Sequence, residues 1–229
     1  MTASPRARPA PGRRTSRGQE RADRTRELLI EEAVACIREE GFAAASARHI
    51  VERAGVSWGG IQYHFGDRDG LLTAVINHGF DTLLGSLNNL IDTVHAENDA
   101  RTRAEMLSAA MWEIFSAPSA MAALEIVIAT RAMGGTMDTK RYAGLDAALS
   151  RITDLIGDST PHADSLATLL WAGPVGMMIA RMMRPQSQWP KSGQDALTDL
   201  IANHISVRAP LASNGWVPSA DGPREPDPS

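Results

Sequence analysis

The sequence has little of three features: cysteine, aromatic residues and long apolar runs. Cys36 is the only cysteine in 229 residues, which excludes an intramolecular disulfide and predicts a reduced, cytoplasmic protein. Because Cys36 lies in an apolar helical pattern, we interpret it as a small core residue. The most apolar run, Leu169 to Ala180, is shorter than the ~20 residues that a spanning helix needs. No apolar segment near the N-terminus is typical of a signal peptide, so we expect no membrane association.

Patterns typical of metal sites and enzymes are also scarce. The histidines occupy six positions: His49, His64, His78, His95, His162 and His204. No two of them are four residues apart, and none has a cysteine nearby in the sequence, so we expect no metal site and no cofactor. Apolar residues make up 43% of the chain, which is enough for one or two packed domains. We expect a binding protein rather than an enzyme.

One short motif does match a catalytic pattern. Residues 55–59, GVSWG, spell the G-x-S-x-G of hydrolases, in which the serine is a nucleophile on a turn between a strand and a helix. Such a turn needs a buried β-branched strand before it, but the preceding residues repeat with a helical period. No alternation of strands and helices follows that could deliver an Asp and a His. We therefore interpret Ser57 as a helix N-cap.

Basic residues are concentrated in the first third of the chain. Residues 1–72 carry twelve Arg and ten Asp or Glu, although the whole chain has a net charge of −4. The density is highest among Pro, Gly, Ser and Ala near the start, at Arg6, Arg8, Arg13, Arg14, Arg17, Arg21, Arg24 and Arg26. This segment predicts a disordered arm. The arm either keeps the chain in solution or contacts DNA, by following phosphates or by entering a minor groove.

The residues after the arm predict a helix-turn-helix. A first helix covers residues 21–40 and ends at Gly41, where a left-handed cap is favoured. Ser46 caps a second helix over residues 47–54, and Gly55 ends it. Val56 fills the space between the helices, and the Ser57 hydroxyl is expected to cap a third helix that ends at Phe65. Two short helices joined by a tight glycine turn are typical of major-groove binding.

These residues also carry a family resemblance. EEGF at 39–42, SARHIVERAGVS at 46–57, YHF at 63–65 and GDRDGLL at 66–72 together resemble the N-terminal domain of the TetR family of transcriptional regulators. The resemblance is close over residues 25–72, and the remainder agrees in its all-helical architecture. It implies an all-α fold with an N-terminal three-helix helix-turn-helix domain and a C-terminal helical domain for ligand binding and dimerisation.

The resemblance implies a set of DNA-contacting residues. Backbone contacts are expected at the helix N-termini and the recognition helix, at Arg26, Ser46, Arg48, Tyr63, His64 and Arg68. Base contacts are expected from the exposed positions Trp58, Gly60 and Gln62, while Ile61 and Phe65 should face the core. Ser57 and Gly59 complete the set of DNA-contacting residues. Gly59 and Gly60 are expected to allow a close approach of the backbone to a phosphate.

The recognition helix departs from the family pattern. Trp58 stands where Lys is common, Gln62 where an aromatic residue often stands, and Arg68 where Lys is usual. Gln62 can bind the N6 and N7 atoms of adenine, whereas Trp58 either contacts a thymine methyl or a sugar or packs on the domain surface. These departures leave open a rival interpretation, a small-molecule-binding helical protein that has lost its DNA contact.

Beyond residue 72, the pattern remains helical. Four expected helices have both ends marked: from the Asp67 cap to about Asp92, from Pro118 to about Met133, from Tyr142 to Ile156, and from Pro161 to Met183. The last of these is interrupted at Gly173, Pro174 and Gly176. Two further helices are expected to start at Asp99 and at Ser192. The predicted organisation is a disordered basic arm (1–20), a helix-turn-helix domain (21–72), an effector-binding and dimerisation domain (73–208) and a disordered tail (209–229).

The C-terminal domain carries two sets of candidate residues. For a small hydrophobic effector these are Met106, Trp112, Phe115, Met121, Glu125, Met133, Trp171 and Met178. The apolar ones can equally be core residues, and Glu125 and Arg131 either orient a polar end of the ligand or face water. For a homodimer interface the candidates are Trp171, Val175, Ile179, Leu197, Leu200, Ile201 and Ile205. A core helix in a monomer is the alternative to that interface.

Taken together, the sequence predicts a ligand-responsive regulator. It is expected to be a repressor that binds a near-palindromic operator in double-stranded DNA as a homodimer.

Overall fold

The chain is helical throughout the part that the structure describes. In the computed structural model this part comprises residues 12–131, 139–156, 162–183 and 192–206, and no strand occurs within it. The predicted all-α class is therefore confirmed. The elements are α1 (Gly12–Glu40), a 3₁₀ turn (Phe42–Ala44), α2 (Ala47–Ala54), α3 (Trp58–Phe65), α4 (Arg68–Val94), α5 (Ala100–Ser116), α6 (Pro118–Arg131), α7 (Thr139–Ile156), α8 (Ala163–Met183) and α9 (Ser192–Ser206).

Side-chain caps fix the starts of three helices where the sequence predicted them. Ser46 accepts a hydrogen bond from the amide of His49 at 3.2 Å, which starts α2. Asp67 accepts from Gly70 at 2.8 Å, and Asp99 accepts from Thr102 at 2.8 Å, at the starts of α4 and α5. Each cap satisfies one of the amides that a helix leaves unpaired in its first turn.

Two predicted boundaries differ from the structure. Helix α1 begins at Gly12 and not at residue 21, so residues 12–20 are not a disordered arm. Five of the nine residues in this stretch are Arg, Gln or Glu, which favour helix. The Gln19 side chain also bonds to Asp23 at 3.1 Å. Helix α8 is also continuous through Pro174, since Leu170 and Met178 on either side are buried and hold the helix in the core.

The described helices pack around two apolar cores. The N-terminal core joins α1, α2, α3 and the start of α4, with Leu29, Ile50, Ile61 and Leu71 fully buried. The C-terminal core joins the rest of α4 with α5 to α9. Helix α4 contributes to both cores without a break, so the predicted domain boundary after residue 72 lies inside a helix of 27 residues.

Helix α6 also contacts both cores. Its residues Ala122 and Ile126 are buried in the N-terminal core, whereas Ala120 belongs to the C-terminal core. It packs closely on α4 at Gly79, where an added Cβ would meet the Ser119 carbonyl oxygen and lie 2.6 Å from Ala123 Cβ. Glycine at this position therefore permits the close approach of α4 and α6, and these two helices connect the two halves of the chain.

Candidate functional site

The turn between α2 and α3 has the geometry that the sequence predicted. Gly55 ends α2 in the left-handed region, with φ 64°, where a side chain would be strained. The amide of Val56 donates to the Val51 carbonyl at 3.1 Å, and its side chain packs against the N-terminal core. These contacts fix α3 across α2 and leave the outer side of α3 open.

Ser57 precedes α3, but its hydroxyl makes no capping hydrogen bond. The prediction that the Ser57 hydroxyl caps α3 is therefore wrong. Its carbonyl oxygen instead accepts from the Gly60 amide at 2.9 Å, so the backbone alone starts the helix. Ser57 lies between two helices, which agrees with a structural role and not with a strand-to-helix nucleophile turn.

One side of helix α3 is anchored in the N-terminal core. Ile61 is fully buried, as the sequence predicted. Phe65 is half-buried, and the Arg26 guanidinium lies 5.5 Å from its ring centre. Arg26, which was predicted to contact the DNA backbone, therefore also covers the C-terminal end of α3.

The other side of α3 is open to solvent. Trp58 is 54% exposed and Tyr63 is 78% exposed, and Gln62 is exposed next to Tyr63. His64 is half-buried, with its ring centre 4.8 Å from that of Tyr63 in an edge-to-face arrangement. This side can contact a partner without disturbing the core.

The two glycines of α3 lie on different sides. Gly59 is exposed, and an added Cβ would come near only the Ser57 hydroxyl, at 3.7 Å. Gly60 is half-buried, and an added Cβ would lie 3.8 Å from both Leu29 Cδ1 and Val56 Cγ2. Gly60 thus faces α1 and the turn, which does not agree with its predicted place among the base-reading positions.

The arginines predicted to contact phosphate differ in their surroundings. The Arg48 side chain is 87% exposed and forms an ion pair with Glu52 one turn along α2, at 2.9 Å, which raises the pKa of Arg48. Arg68 instead donates from Nε to the Ala45 carbonyl at 2.8 Å, and its guanidinium lies 5.0 Å from the Phe42 ring centre. Arg68 therefore joins the start of α4 to the segment before α2, which the sequence did not suggest.

A polar cluster between α1 and α2 was not predicted from the sequence. Arg53 of α2 contacts three carboxylates of α1: Glu40 at 2.8 Å, Glu39 at 2.9 Å and Glu32 at 3.4 Å. The His49 ring lies 3.0 Å from both carboxylate oxygens of Glu40, and this hydrogen bond is the main cause of the lowered pKa of Glu40. Burial raises the pKa of the neighbouring Cys36 thiol.

Glu125 connects α6 to the N-terminal core. Its Oε1 accepts a hydrogen bond from the backbone amide of Phe42 at 2.6 Å. This carboxylate was predicted to orient a ligand or face water, but it is committed to the 3₁₀ turn before α2. The contact joins residues that are 83 positions apart, which is why no local pattern indicated it.

An apolar cavity of about 220 Å³ lies in the C-terminal half, between α4, α5, α6, α7 and α8. Three of the predicted effector residues line it: Phe115, Trp171 and Met178. The sequence did not predict most of the residues that line the cavity, although apolar residues on α4 and α6 indicated that these helices are partly buried. The missed lining residues are Gly79, Phe80, Leu83, Ala120, Ala123, Leu124, Leu145 and Val175.

The other predicted effector residues lie elsewhere. Met106 lines a separate groove on α4 and α5, and Met121 packs against the C-terminal core. Trp112 is half-buried and is not among the cavity residues, and Glu125 faces the N-terminal core. Met133 lies outside the described residues. The cavity collects side chains from five helices, and periodicity within one helix cannot specify such a set.

The predicted dimer residues divide into exposed and packed ones. Leu200 is 69% exposed and Ile179 is half-buried. Trp171 and Val175 are half-buried and line the cavity of their own chain. Ile201 is buried at 1% exposure and is therefore corrected to a core position, whereas the half-buried Leu197 packs against the same core. The side chain of Ile205 lies outside the described residues.

Helices α8 and α9 expose large apolar side chains. Leu169 and Met183 on α8 are 48% and 79% exposed, in addition to Leu200 on α9. Residues Ala163–Ala180 are long and apolar enough to span a membrane by composition, with a mean hydropathy of 1.3, and 28% of them are buried. Because Leu166, Leu170 and Met178 of α8 belong to the C-terminal core, we interpret α8 as a core helix with one open apolar side.

Comparisons with known proteins agree with this geometry. Residues 29–75 match the family model of bacterial regulatory proteins of the tetR family. The HTH-type transcriptional regulator BetI of Burkholderia lata is 31% identical over 88 residues, which are 38% of this chain and 44% of the relative. BetI 2 of Chromohalobacter salexigens is 40% identical over 75 residues, 33% of each chain. The chain thus matches less than half the length of these curated relatives.

Solved structures match over more of the chain. A transcriptional regulator from Rhodococcus sp. RHA1 is 25% identical with a TM-score of 0.63, covering 79% of this chain and 95% of that one. The TetR family transcriptional regulator PfmR from Thermus thermophilus is 16% identical with a TM-score of 0.59, covering 76% and 97%. The likeness to PfmR concerns the fold alone. Together, the two structures extend the similarity into the C-terminal helices.

Proposed function

Because the chain belongs, through its residues 29–75, to the TetR family of bacterial regulatory proteins, we propose that it is a ligand-responsive repressor that binds a near-palindromic operator as a homodimer. The exposed side of α3 is the observation that carries this proposal. Trp58, Gln62 and Tyr63 are presented to solvent there, while Ile61 on the opposite side anchors the helix in the core. A major groove accepts one α-helix, and side chains at its outer side reach the base edges.

Within this interface, we assign different roles to the exposed side chains. Gln62 can bind adenine through its amide in two hydrogen bonds, and Trp58 can contact a thymine methyl or a sugar. We assign phosphate contacts to Arg48 and to the N-terminus of α2, since a helix N-terminus and a guanidinium both favour anions. Arg68 acts indirectly, by holding the start of α4 against the Ala45 carbonyl.

Dimerisation is proposed through the open sides of α8 and α9. Leu169, Met183 and Leu200 are large apolar side chains that a monomer leaves in water. A symmetric pair of chains buries them and presents two α3 helices to the two halves of an operator. The pair thereby reads a site about twice as long as one chain can reach.

An effector is proposed to occupy the apolar cavity. Ala120, Ala123 and Leu124 of α6 line this cavity, and Glu125 on the same helix bonds to the Phe42 amide next to α2. A ligand that shifts α6 therefore changes the position of the segment that precedes the helix-turn-helix. The lining contains no charged residue among those described, which favours a small hydrophobic molecule.

The proposal is tested by binding to DNA from upstream of the gene itself. Fluorescence anisotropy with a labelled duplex, at several salt concentrations, should give a saturable complex whose affinity exceeds that for a shuffled duplex of equal length. Specific sites are typically bound about 10³-fold or more tightly than non-specific DNA. Equal affinity for both duplexes, combined with ligand binding in the cavity, would favour the rival function of a small-molecule-binding protein without an operator.

A further inference from the structure

The polar cluster between α1 and α2 contains three different metal-ligating groups. Cys36 and Glu40 lie one turn apart on α1, and His49 reaches them from α2. One ligand atom from each residue lies within 4.8 Å of the other two. Among the described residues, this is the place where three such groups converge. We propose that Cys36, Glu40 and His49 bind a divalent cation that prefers sulfur and nitrogen ligands, of which Zn²⁺ is the representative.

The donor set suits this class of cation. Thiolate, imidazole and carboxylate are the three side-chain ligands of Zn²⁺, and three protein ligands leave a fourth position for water. Bond lengths of about 2.0–2.3 Å place ligand atoms about 3.4–3.6 Å apart in a tetrahedral site. The longest of the distances, which is at most 4.8 Å, must therefore shorten by no more than about 1.4 Å, while the 3.0 Å between His49 Nε2 and the Glu40 oxygens must lengthen slightly. Glu40 and His49 can move in this way, because each is 37% exposed, while the buried Cys36 forms the fixed base of the site.

The charges around the cluster also favour a cation. Arg53 is the guanidinium nearest to Glu40, but Glu39 and Glu32 contact it as well. If Glu40 turns toward a metal ion, Arg53 therefore keeps two carboxylate partners. Arg38 also contacts Glu39, at 3.6 Å, so three carboxylates face two guanidinium groups and leave one negative charge more than the arginines balance. The ion would replace the hydrogen bond between His49 and Glu40, since both atoms become its ligands.

The location gives the ion a structural effect. A bound ion joins the C-terminal part of α1 to the start of α2, which carries the helix-turn-helix. The site lies apart from the apolar cavity, because none of its three residues is a cavity residue. The proposed cation is therefore a second ligand of the chain, distinct in chemistry and position from the hydrophobic effector.

Cobalt provides a direct spectroscopic test. The full chain, without a polyhistidine tag and treated with a chelator, is titrated with Co²⁺ and then with Zn²⁺. The expected result is a thiolate-to-cobalt charge-transfer absorption in the near ultraviolet that saturates at one equivalent and disappears when Zn²⁺ is added. A chain that shows no such absorption, or that shows it only without saturation, overturns the proposal.

Variants separate the site from binding at other histidines. Cys36→Ala should abolish the charge-transfer absorption, and His49→Ala should weaken Co²⁺ binding at least about tenfold. His78→Ala is the control, because His78 is an exposed histidine on α4 and should leave binding unchanged. If Cys36→Ala does not fold by circular dichroism, Glu40→Gln and His49→Ala decide the question with the thiol intact. Undiminished binding in both of these variants shows that Glu40 and His49 are not ligands and overturns the proposed site.

Discussion

The carboxylate of Glu125 accepts a hydrogen bond from the backbone amide of Phe42 at 2.6 Å, and this bond joins α6 to the start of the helix-turn-helix. Glu125 belongs to the half of the chain in which we propose that the effector binds, and Phe42 belongs to the half that we propose binds DNA. The Arg68 guanidinium lies over the Phe42 ring and bonds to Ala45, so the same short segment is held from two sides. Its position therefore depends on α4 and α6 together.

Removing the Glu125 carboxylate should destabilise the protein. Glu125→Ala leaves the partly buried Phe42 amide without its partner, and loss of a hydrogen bond to a charged acceptor costs about 1–3 kcal/mol. Glu125→Gln keeps an oxygen acceptor and should cost distinctly less. Urea denaturation of both variants measures the difference. If the two variants are equally stable, the hydrogen bond does not contribute to folding, and the proposed connection between α6 and α2 loses its support.

Arg48 and Arg68 should respond differently to replacement by alanine. Arg48→Ala should lower the slope of log affinity against log salt by about one unit, because it removes one proposed phosphate contact. Arg68→Ala should instead lower the free energy of unfolding, since it removes the bond to Ala45 and the contact with Phe42. Anisotropy over a salt series and thermal unfolding distinguish the two effects. A reduced salt slope in folded Arg68→Ala, with unchanged stability, contradicts this assignment.

Sequence reasoning succeeded where the chemistry is local. The caps at Ser46, Asp67 and Asp99 and the left-handed Gly55 depend on residues within one helical turn, so pattern and propensity were sufficient. The third helix was also placed at its observed bounds, although Ser57 starts it by its backbone and not by its hydroxyl. Local signals thus predicted most of the helices, and Trp58 and Gln62 on α3 are exposed as expected, whereas Gly60 is not.

The errors concern residues whose partners are distant in the sequence. Glu125 meets Phe42 and Arg68 meets Ala45 only after the helices have packed, and no period within α6 or α4 indicates either contact. The same cause explains Ile201, which lies next to the exposed Leu200 but is buried in the C-terminal core. Which side of an apolar helix faces its own core is decided by the neighbouring helices.

The two glycines of α3 should also differ. Gly60→Ala should be tolerated, because the new Cβ would make ordinary contacts with Leu29 and Val56, and alanine raises helix propensity by up to about 1 kcal/mol. Its operator affinity should equal that of the unaltered chain. Gly59→Ala adds a methyl group on the exposed side and should weaken operator binding if backbone and phosphate approach closely there. Anisotropy and thermal unfolding test both, and a loss of affinity confined to Gly60→Ala would reverse the assignment.

Gln62 should determine specificity more than affinity. Gln62→Ala should cost about 1–3 kcal/mol at the operator positions that it reads and relax the preference there. Binding to a shuffled duplex should not change, because the exposed amide carries no charge for phosphates. Competition with single-base operator variants measures this loss. A uniform loss on every duplex would instead show that Gln62 contacts the backbone.

The adjacent residues Leu200 and Ile201 provide a matched test of the dimer. Leu200 is 69% exposed and Ile201 is 1% exposed, so the same charge has a different effect at each position. Leu200→Arg should leave the fold intact, yield a monomer in sedimentation, and lose most affinity for a two-half-site operator, since one chain makes half of the contacts. Ile201→Arg should unfold the chain, because a buried unpaired charge costs several kcal/mol.

The results for the Leu200 and Ile201 variants show where the dimer interface lies. Stable interfaces between subunits commonly bury more than ~2,000 Å² and resemble a divided core, so one charge at their centre is sufficient to separate the chains. Ile179→Arg, on the neighbouring helix α8, should behave like Leu200→Arg if both residues lie in the same interface. A folded, dimeric Leu200→Arg would place the interface elsewhere. A folded monomer that binds the full operator with undiminished affinity would show that DNA recognition needs only one chain.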